Sequence, residues 1–417
     1  MGQGVGQTIT PTQLQDPPEP ANVATPTTPC AAGSHPLTGY PDGRVPGAVI
    51  SSGAAANGFT CNLSFVAHQG SSGGFKVFSY TDPAGHMCAY YDTALLFPTN
   101  AISLTNLPSL GVAVLDMSDP SHPVQTATLT ALPMLSPHES LSLNAKRGLL
   151  GAVLGNPATY PGDAAFYSLA QDCRHPVLDF TGLIARFGHE GAFSPDGNTF
   201  WATGTAIPSI TAIDVSDPRH PHDVWQGNMI SHGLSISDNG DIAYISNPTG
   251  GELDTLDVSQ IQNRLPHAQV KESSRLTWSN VTIPQSSASM VINRHPYLLE
   301  FDEYAYSLAK REPPDTVGAA RIIDIADEAH PRVVSNLRLD VNQPAEHKAA
   351  AQDPGALSPV QGYAGHYCSV PREIDPEIVA CSFINSGLRI FNISDPAHPR
   401  EVAYYVAPPK ATVENAL

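Results

Sequence analysis

Four histidines open segments that recur along the chain, and these residues are the strongest candidates for metal binding or catalysis. They are His138 in His-Glu-Ser-Leu-Ser-Leu, His189 in His-Glu-Gly-Ala-Phe-Ser-Pro-Asp-Gly, His232 in His-Gly-Leu-Ser-Ile-Ser-Asp-Asn-Gly and His366 in His-Tyr-Cys-Ser-Val-Pro. Each segment has the period-2 pattern of a β-strand, and a turn follows. If the units close into a ring, the four imidazoles converge near its axis. Neutral imidazoles are the ligands that Cu, Fe, Zn and Ni accept in proteins.

A second repeat determines how these histidines would be positioned. Six segments carry an apolar, β-branched run that leads into Asp-Pro-X-His-Pro or a shortened form of it; they begin at Gly111, Ala164, Ile210, Glu252, Ala320 and Leu388. Proline lacks an N–H group, so it marks the turn after the strand. Hairpins with Pro-Asp-Gly or Asp-Asn-Gly turns lie between these segments. The pattern predicts an all-β protein, a single β-propeller of six four-stranded antiparallel blades, with seven blades as the alternative.

The Val-Leu-Asp-Met and Ile-Ile-Asp-Ile strands and the Asp-Pro-X-His-Pro turns resemble those of the LVIVD-repeat β-propellers of secreted bacterial proteins. The resemblance covers roughly residues 60–405; it implies the fold and leaves the chemistry open. The layout of the histidines is more weakly similar to that of the selenium-binding-protein/methanethiol-oxidase propellers. It is also similar to that of the carotenoid oxygenases, which hold iron with four histidines on a propeller axis. The sequence motifs of these two groups do not match, so the similarity is one of architecture.

The innermost strand A of each blade should start, and strand B should end, at one mouth of the channel. We therefore expect His138, His189, His232 and His366 to bind one transition-metal ion there, with Cu or Fe favoured and Zn as a further candidate. Glu139, Glu190 and Glu303 are the candidate catalytic carboxylates, and Glu139 and Glu190 are expected to orient the rings. The expected rim of the mouth consists of Asp92, Asn156, Asn247, Asp302 and Asn385.

Other interpretations of the histidines stay open at this point. The repeat could have duplicated a structural histidine, or the His and Glu residues could form a catalytic site without a metal. The fifth unit begins its strand A with Ser286-Ser-Ala-Ser-Met290 and has no histidine, which is expected of a substrate entry and equally of sequence drift. Five further histidines precede a turn proline and are expected in outer turns: His122, His175, His220, His330 and His398.

Composition limits the partners and the compartment. The formal net charge of −18 argues against nucleic acid and anionic membrane surfaces as partners, and no apolar run reaches 18 residues. Cys368 and Cys381 flank a short turn and should form a disulfide, and Cys61 and Cys88 are expected to pair as well; buried free thiols are the alternative. Disulfides would place the chain in an oxidising compartment, secreted, periplasmic or on the cell surface. Cys30 and Cys173 have no assigned partner.

Three regions follow from the distribution of residue types. Residues 1–58 are rich in Pro, Thr, Ala and Gly and should form a disordered linker after a removed export signal. Residues 59–408 should form the propeller, and residues 409–417 a flexible tail. The segment from Cys61 to Val66 could belong to the first unit or close the ring against the last blade.

Two classes of function fit these features. The first is a metal-dependent enzyme, with oxidation as the favoured chemistry and metal-assisted hydrolysis or lyase chemistry next. Its substrate would be a small, partly apolar molecule, because aromatic residues are expected near the mouth: Tyr160, Phe187, Tyr304, Tyr306 and Tyr367. The second is a binding module without catalytic activity, since propellers present wide loop faces to partners.

Overall fold

A computed structural model describes residues 6–70, 73–93, 110–155, 162–304, 317–357 and 362–409. Two short strands precede the blades, β1 (Leu14–Gln15) and β2 (Phe59–Cys61), and four-stranded antiparallel sheets follow. Blade 1 comprises β3 (Val77–Thr81), β4 (Met87–Asp92), β5 (Val112–Asp116) and β6 (Val124–Leu129). Blade 2 comprises β7 (Ser142–Asn144), β8 (Leu149–Val153), β9 (Gly162–Ser168) and β10 (Val177–Ala185). Blade 3 comprises β11 (Glu190–Phe193), β12 (Thr199–Gly204), β13 (Ser209–Asp214) and β14 (His222–Gly227).

The second half of the chain forms three more blades, so the predicted six-bladed propeller is confirmed. Blade 4 comprises β15 (Leu234–Ile236), β16 (Ile242–Asn247), β17 (Glu252–Asp257) and β18 (Lys271–Leu276). Blade 5 comprises β19 (Ile283–Ile292), β20 (His295–Glu303), β21 (Ala320–Asp324) and β22 (Arg332–Leu337). Blade 6 comprises β23 (Gly365–Ser369), β24 (Ile378–Phe383), β25 (Gly387–Asn392) and β26 (Arg400–Val406).

Helical segments are short and lie between these strands. The α-helices are α1 (Gly47–Ser51), α2 (Leu132–Leu135), α3 (Ser259–Gln262) and α4 (Pro344–Ala349), and two 3₁₀ turns span Asp340–Asn342 and Pro354–Leu357. In the part of the chain that the structure describes, none of the helices has the length and apolar character needed to cross a membrane.

The Asp-Pro-X-His-Pro turns connect the third and fourth strands of their blades. In four of them the histidine Nδ1 lies 2.8–3.0 Å from the carboxylate of the aspartate three residues earlier, as in Asp119 and His122. Both side chains of that pair are largely exposed. These histidines therefore stabilise outer turns, as the repeat predicts.

Apolar side chains from facing blades pack between the sheets. Buried clusters join blade 1 to 2, 2 to 3, 3 to 4, 4 to 5 and 5 to 6. Among the described residues, no such cluster joins blade 6 to blade 1. Instead β2 adds to the outer strand β26 of blade 6, and the chain then crosses to β3 of blade 1. Of the two positions considered for the Cys61 strand, the structure adopts the one against the last blade.

The N-terminal segment, for which composition predicts a disordered linker, makes backbone contacts with the blades. From residue 6 onward it runs along the outer strands: Gln7 bridges to Gly227, β1 pairs with β18, and Thr27 bridges to Glu401. The outer strand of a blade leaves backbone groups unpaired, and these groups bind the segment. Around α1 the segment also forms a small buried cluster with β2 and β26, which includes Val49 and Phe59. Amino-acid composition carries no information on backbone pairing of this kind with a distant strand.

The cysteines form three disulfides, Cys30–Cys61, Cys88–Cys173 and Cys368–Cys381. The Cys368–Cys381 pairing is confirmed, because the two residues face each other in the register of β23 and β24. The Cys61–Cys88 pairing is wrong. Cys61 lies in β2 beside blade 6, whereas Cys88 lies in β4 of blade 1 and joins the turn between the last two strands of blade 2.

Candidate functional site

Each of the six blades brings a side chain to a common cluster on the axis, five of them from at or before the start of the inner strand. Blade 1 contributes Phe75, whose ring contacts His138 at 4.2 Å and His366 at 5.3 Å between centroids. The rings of His138 and His189 are 4.7 Å apart, and those of His189 and His232 are 5.0 Å apart. Blades 2, 3, 4 and 6 therefore place their histidines together, on the strands where the sequence predicts them.

Two glutamates lie among the imidazoles. Glu139 Oε1 is 3.7 Å from His138 Nε2 and 3.4 Å from His366 Nε2. Its other oxygen, Oε2, is 3.0 Å from His189 Nε2 and 3.5 Å from His232 Nε2. Each oxygen of this one carboxylate therefore faces two of the four rings, and Glu139 occupies the centre of the cluster.

Glu303 completes the ring of side chains at blade 5. It lies at the end of β20, and its carboxylate is 3.4 Å from His232 Nε2 and 3.3 Å from His366 Nε2. The missing histidine of the fifth unit therefore leaves no gap, because a carboxylate from the second strand takes its position. The apolar position is at blade 1, where Phe75 stands in place of a ligand.

The cluster is buried, and several of its polar atoms lack hydrogen-bond partners. Its four histidines and two glutamates are between 2% and 9% exposed. His189 Nε2, His366 Nε2 and Glu139 Oε2 lie within 3.5 Å of oppositely charged groups in the cluster, yet none of these three atoms has a well-aligned hydrogen bond. Buried polar atoms are costly without partners, so the arrangement fits an additional electrophile such as a metal ion.

The donor set also fits a metal ion. Two groups meet the spacing for a bound ion, one of His138, Glu139 and His189 and one of Glu139, Glu303 and His366. His232 Nδ1 lies 3.1 Å from the carbonyl oxygen of Pro284, to which its N–H can donate a hydrogen bond. This tautomer leaves the Nε2 lone pair directed into the cluster. His138 has a positive φ of 51°, a backbone conformation that non-glycine residues rarely adopt and that is often found at functional sites.

Charges within the cluster are strongly coupled. Burial by itself would raise the pKa of Glu139, but the imidazoles of His138 and His189 hold it well below its ordinary value. Burial opposes protonation of His366, yet the contacts with Glu139 and Glu303 raise its pKa to about 9. Burial lowers the pKa of His138 to about 3. The four imidazoles are therefore chemically distinct although they come from equivalent positions.

The side chain of Glu190 lies beside the cluster, in a polar group with Lys76, Ser286 and Tyr367, and makes no ion pair with an imidazole of the cluster. Its Oε1 accepts hydrogen bonds from Lys76 Nζ at 2.8 Å and from Ser286 Oγ at 3.0 Å. Burial raises the pKa of Glu190 to about 7 in spite of the ammonium group of Lys76. Lys76 also lies 4.9 Å above the ring of Tyr367, whose hydroxyl accepts a hydrogen bond from Gln285 at 2.9 Å. The expected role of Glu190 in orienting a ring is not seen in these contacts.

An axial cavity of about 480 Å³ adjoins this polar group. Its lining residues come from all six blades, and its walls combine aromatic and aliphatic side chains with serines; they include Phe75, Phe78, Phe193, Leu234, Ser287 and Tyr367. Lys76 and Glu190 line its polar end, whereas none of the four clustered histidines does. Phe75, which contacts His138 and His366, and the Lys76–Glu190 ion pair therefore line the part of the cavity next to the histidine cluster.

Most of the predicted rim residues have other partners. Asn247 donates to Glu252 and Asp254, and Asn385 donates to the carbonyl groups of Gly355 and Gly362. Asp302 pairs with Arg321 in the interior. These side chains stabilise the turns and strand ends that surround the channel.

Asp92 is the exception, because its Oδ1 accepts a hydrogen bond from the backbone N–H of Phe75 at 3.0 Å. It thereby helps to fix the segment that carries Phe75 and Lys76. Asn156, Tyr160 and Tyr306 lie outside the described residues.

Sequence reasoning missed Phe75, Lys76 and Gln285. All three occupy the strand-start positions of the two blades without histidine, so alignment of all six strand starts was the signal that could have identified them. The first unit has no Asp-Gly or Asn-Gly turn that would anchor such an alignment.

Comparison with known proteins supports the fold. The LVIVD repeat matches residues 382–406, which form part of blade 6. Two putative 6-phosphogluconolactonases have similar structures. The protein from Bacteroides fragilis NCTC 9343 has a TM-score of 0.52 and 10% identity, covering 80% of this chain and 84% of that one. The protein from Bacteroides uniformis ATCC 8492 has a TM-score of 0.50 and 12% identity, covering 79% and 85%.

At these identities the likeness concerns the fold alone. A comparison with curated proteins found no match. Together, the repeat and the six blades confirm the predicted resemblance to LVIVD-repeat β-propellers.

Proposed function

We propose that this LVIVD-repeat β-propeller is an extracytoplasmic, metal-dependent enzyme with its transition-metal ion at one mouth of the central channel. His138, His189, His232 and His366 would hold the ion. The observation that carries the proposal is the convergence of four Nε2 atoms on the buried carboxylate of Glu139 at 3.0–3.7 Å. Imidazole nitrogen without thiolate favours Cu or Fe, and Zn is the next candidate.

The chain's own residues would divide the remaining work. A bound ion would supply Lewis acidity or one-electron chemistry. Glu139 and Glu303 provide negative charge that offsets the charge of a cation in a dry site. Glu190 lies nearest the cavity, and its Oε2, which has no hydrogen-bond partner, is placed to accept a proton. Phe75 keeps the blade 1 side of the cluster apolar.

The cavity supports a small, partly apolar substrate. A volume of about 480 Å³ is within the range of small-molecule sites, roughly 300–1,000 Å³. Its aromatic walls would bind the apolar part of the substrate, and Lys76, Glu190 and Ser286 would bind a polar group at the end nearest the cluster. Rearrangement of the Lys76–Glu190 pair would be needed to bring that group to the histidines.

The disulfides support an oxidising location. All six cysteines are paired, and such pairing is typical of secreted, periplasmic or cell-surface proteins. The LVIVD resemblance points in the same direction. We favour oxidation of the substrate; metal-assisted hydrolysis or lyase chemistry is the alternative, because three carboxylates near the cluster could serve as general bases.

Metal analysis of the purified chain tests the proposal. The protein is stripped with a chelator, reconstituted separately with Cu, Fe and Zn, and analysed for tightly bound metal. His232→Ala should lose the metal and keep its circular dichroism spectrum, because the blade cores do not depend on this ring. His122→Ala changes an exposed turn histidine and should keep the metal. If no ion binds under any of these conditions, the enzyme proposal fails, and a propeller that only binds partners becomes the better explanation.

A further inference from the structure

We infer that the histidine cluster is built for two metal ions, which Glu139 and Glu303 would bridge. This inference rests on the proposed function and extends it. Two ions would need two sets of ligands in a small volume, with shared groups between them. The six inward-facing side chains divide in this way by the carboxylate oxygens that they face, while His138 and His189, from different sets, also lie within ligand spacing of each other.

The division follows from the oxygen atoms that each imidazole approaches. His138 and His366 face Oε1 of Glu139, and His366 also faces Oε2 of Glu303. His189 and His232 face Oε2 of Glu139, and His232 also faces Oε1 of Glu303. The two oxygens of each carboxylate thus serve different histidines. This is the arrangement of a carboxylate that bridges two ions.

The distances are those between neighbouring ligands of one ion. With bonds of about 2.1 Å, two ligands of a tetrahedral ion lie about 3.4 Å apart. The six contacts between imidazole nitrogen and carboxylate oxygen range from 3.0 to 3.7 Å. Each contact therefore has the length expected of one edge of a coordination polyhedron. The unpartnered Nε2 atoms of His189 and His366 stand one in each set.

A single central ion fits the arrangement less well. Glu139 already occupies the centre, with all four Nε2 atoms within 3.7 Å of its carboxylate. One ion bound by all four rings would need this place, and the carboxylate would have to leave it. If the glutamates also bound, six protein ligands would leave such an ion no open position for substrate. Two ions with about four protein ligands each keep open positions when they expand to five or six ligands.

The net charge of the two ions and their ligands predicts which kind of substrate group would bind at the open coordination positions. Two divalent ions bring four positive charges, and Glu139 and Glu303 bring two negative ones, so the buried pair would carry a net charge of +2. Glu190 is already paired with Lys76. The remaining charge favours an anionic ligand, so the inference assigns to the site a substrate with a carboxylate or another anionic oxygen group. A single divalent ion with the same two glutamates would be neutral and would not have this preference.

The stoichiometry of the intact chain tests the inference. Chelator-treated protein is reconstituted with Mn(II), and bound metal is measured per chain by elemental analysis. Electron paramagnetic resonance then distinguishes an exchange-coupled pair from isolated ions. We expect about two ions per chain and a coupled spectrum. Glu139→Gln should bind at most one ion, with loss of coupling, whereas His398→Ala in an exposed turn should still bind two.

The outcomes separate the two proposals. One ion per chain with an isolated-ion spectrum overturns the two-ion inference and leaves the proposed metal site standing. If Mn(II), Cu, Fe and Zn all fail to bind, both proposals are overturned. Because the wild-type stoichiometry decides, the test does not depend on whether a variant folds. Thermal unfolding of the metal-free proteins shows whether Glu139→Gln has the wild-type fold.

Discussion

Asp92→Asn should alter the pH dependence of stability, because this carboxyl is buried and accepts a hydrogen bond from the backbone N–H of Phe75. Burial raises the pKa of Asp92 from its ordinary 3.8 to about 7, in spite of hydrogen bonds from the backbone of that segment. The folded state therefore holds a proton more tightly than the unfolded chain does. Between these two pKa values the folded protein binds more protons, so its stability falls as the pH rises.

The magnitude follows from the two pKa values. Each pH unit between them is worth about 1.4 kcal/mol, so ionised Asp92 should cost about 4 kcal/mol above pH 7 and almost nothing below pH 4. Asparagine cannot ionise, and its side-chain oxygen can still accept the hydrogen bond from the Phe75 N–H. The variant should gain stability relative to wild type as the pH rises from 4 to 7, and the difference should then stay constant.

Urea unfolding of chelator-treated protein from pH 4 to pH 8 measures this difference. Other buried carboxyls also titrate in this range, and subtraction of the two curves removes their contributions. Asp223→Asn changes an exposed carboxylate of β14 and is the matched control, for which we expect a nearly constant difference. A constant difference for Asp92→Asn as well, or a loss of stability relative to wild type as the pH rises, would refute the reasoning.

Two further pairs of changes test the packing and the disulfides. Gly233→Ala would place a methyl group against Glu190 Oε2 and the carbonyl oxygen of Gln285, so we expect Glu190 to be displaced from Lys76 and the free energy of unfolding in urea to fall by roughly 1–3 kcal/mol. Gly73→Ala, with no atom within 4 Å of the added carbon, should leave this free energy nearly unchanged. Replacing both cysteines of the disulfide between blades 1 and 2 by serine should cost roughly 4–5 kcal/mol, because that bond closes a segment with a sequence separation of 85. The same change at the disulfide within blade 6, with a separation of 13, should cost roughly 3 kcal/mol, and equal losses would contradict the loop argument.

The blades could be predicted because each unit contains its own strand and turn signals. Apolar, β-branched runs and the prolines after them recur at every unit, and local patterns of this kind determine local structure. The positions of the four histidines follow from the same repeats. One fold rule, that the first strand of each blade is innermost, is then sufficient to bring them together.

The remaining parts of the site depend on side-chain direction and on contacts between distant segments. Glu139 and Glu190 follow equivalent histidines, yet Glu139 turns into the cluster and Glu190 turns to Lys76. The difference arises because Lys76 arrives from blade 1, more than 100 residues away in sequence. Periodicity contains no information on that contact. The bound N-terminal segment and the Cys88–Cys173 disulfide have the same origin, since each joins parts of the chain that no local pattern relates.

The two blades without histidine make the cluster asymmetric, with a carboxylate on one side and an apolar ring on another. At blade 5, Glu303 replaces the imidazole and keeps a side chain of a type that can bind a metal ion in the ring. At blade 1, Phe75 replaces it with an apolar ring that packs against His138 and His366. This is also the side at which no buried cluster of described residues joins the neighbouring blades, and Val77 and Leu388 line the cavity there. Under the proposed function, a substrate in this cavity would meet the apolar side of the ring at Phe75, next to the Lys76–Glu190 pair.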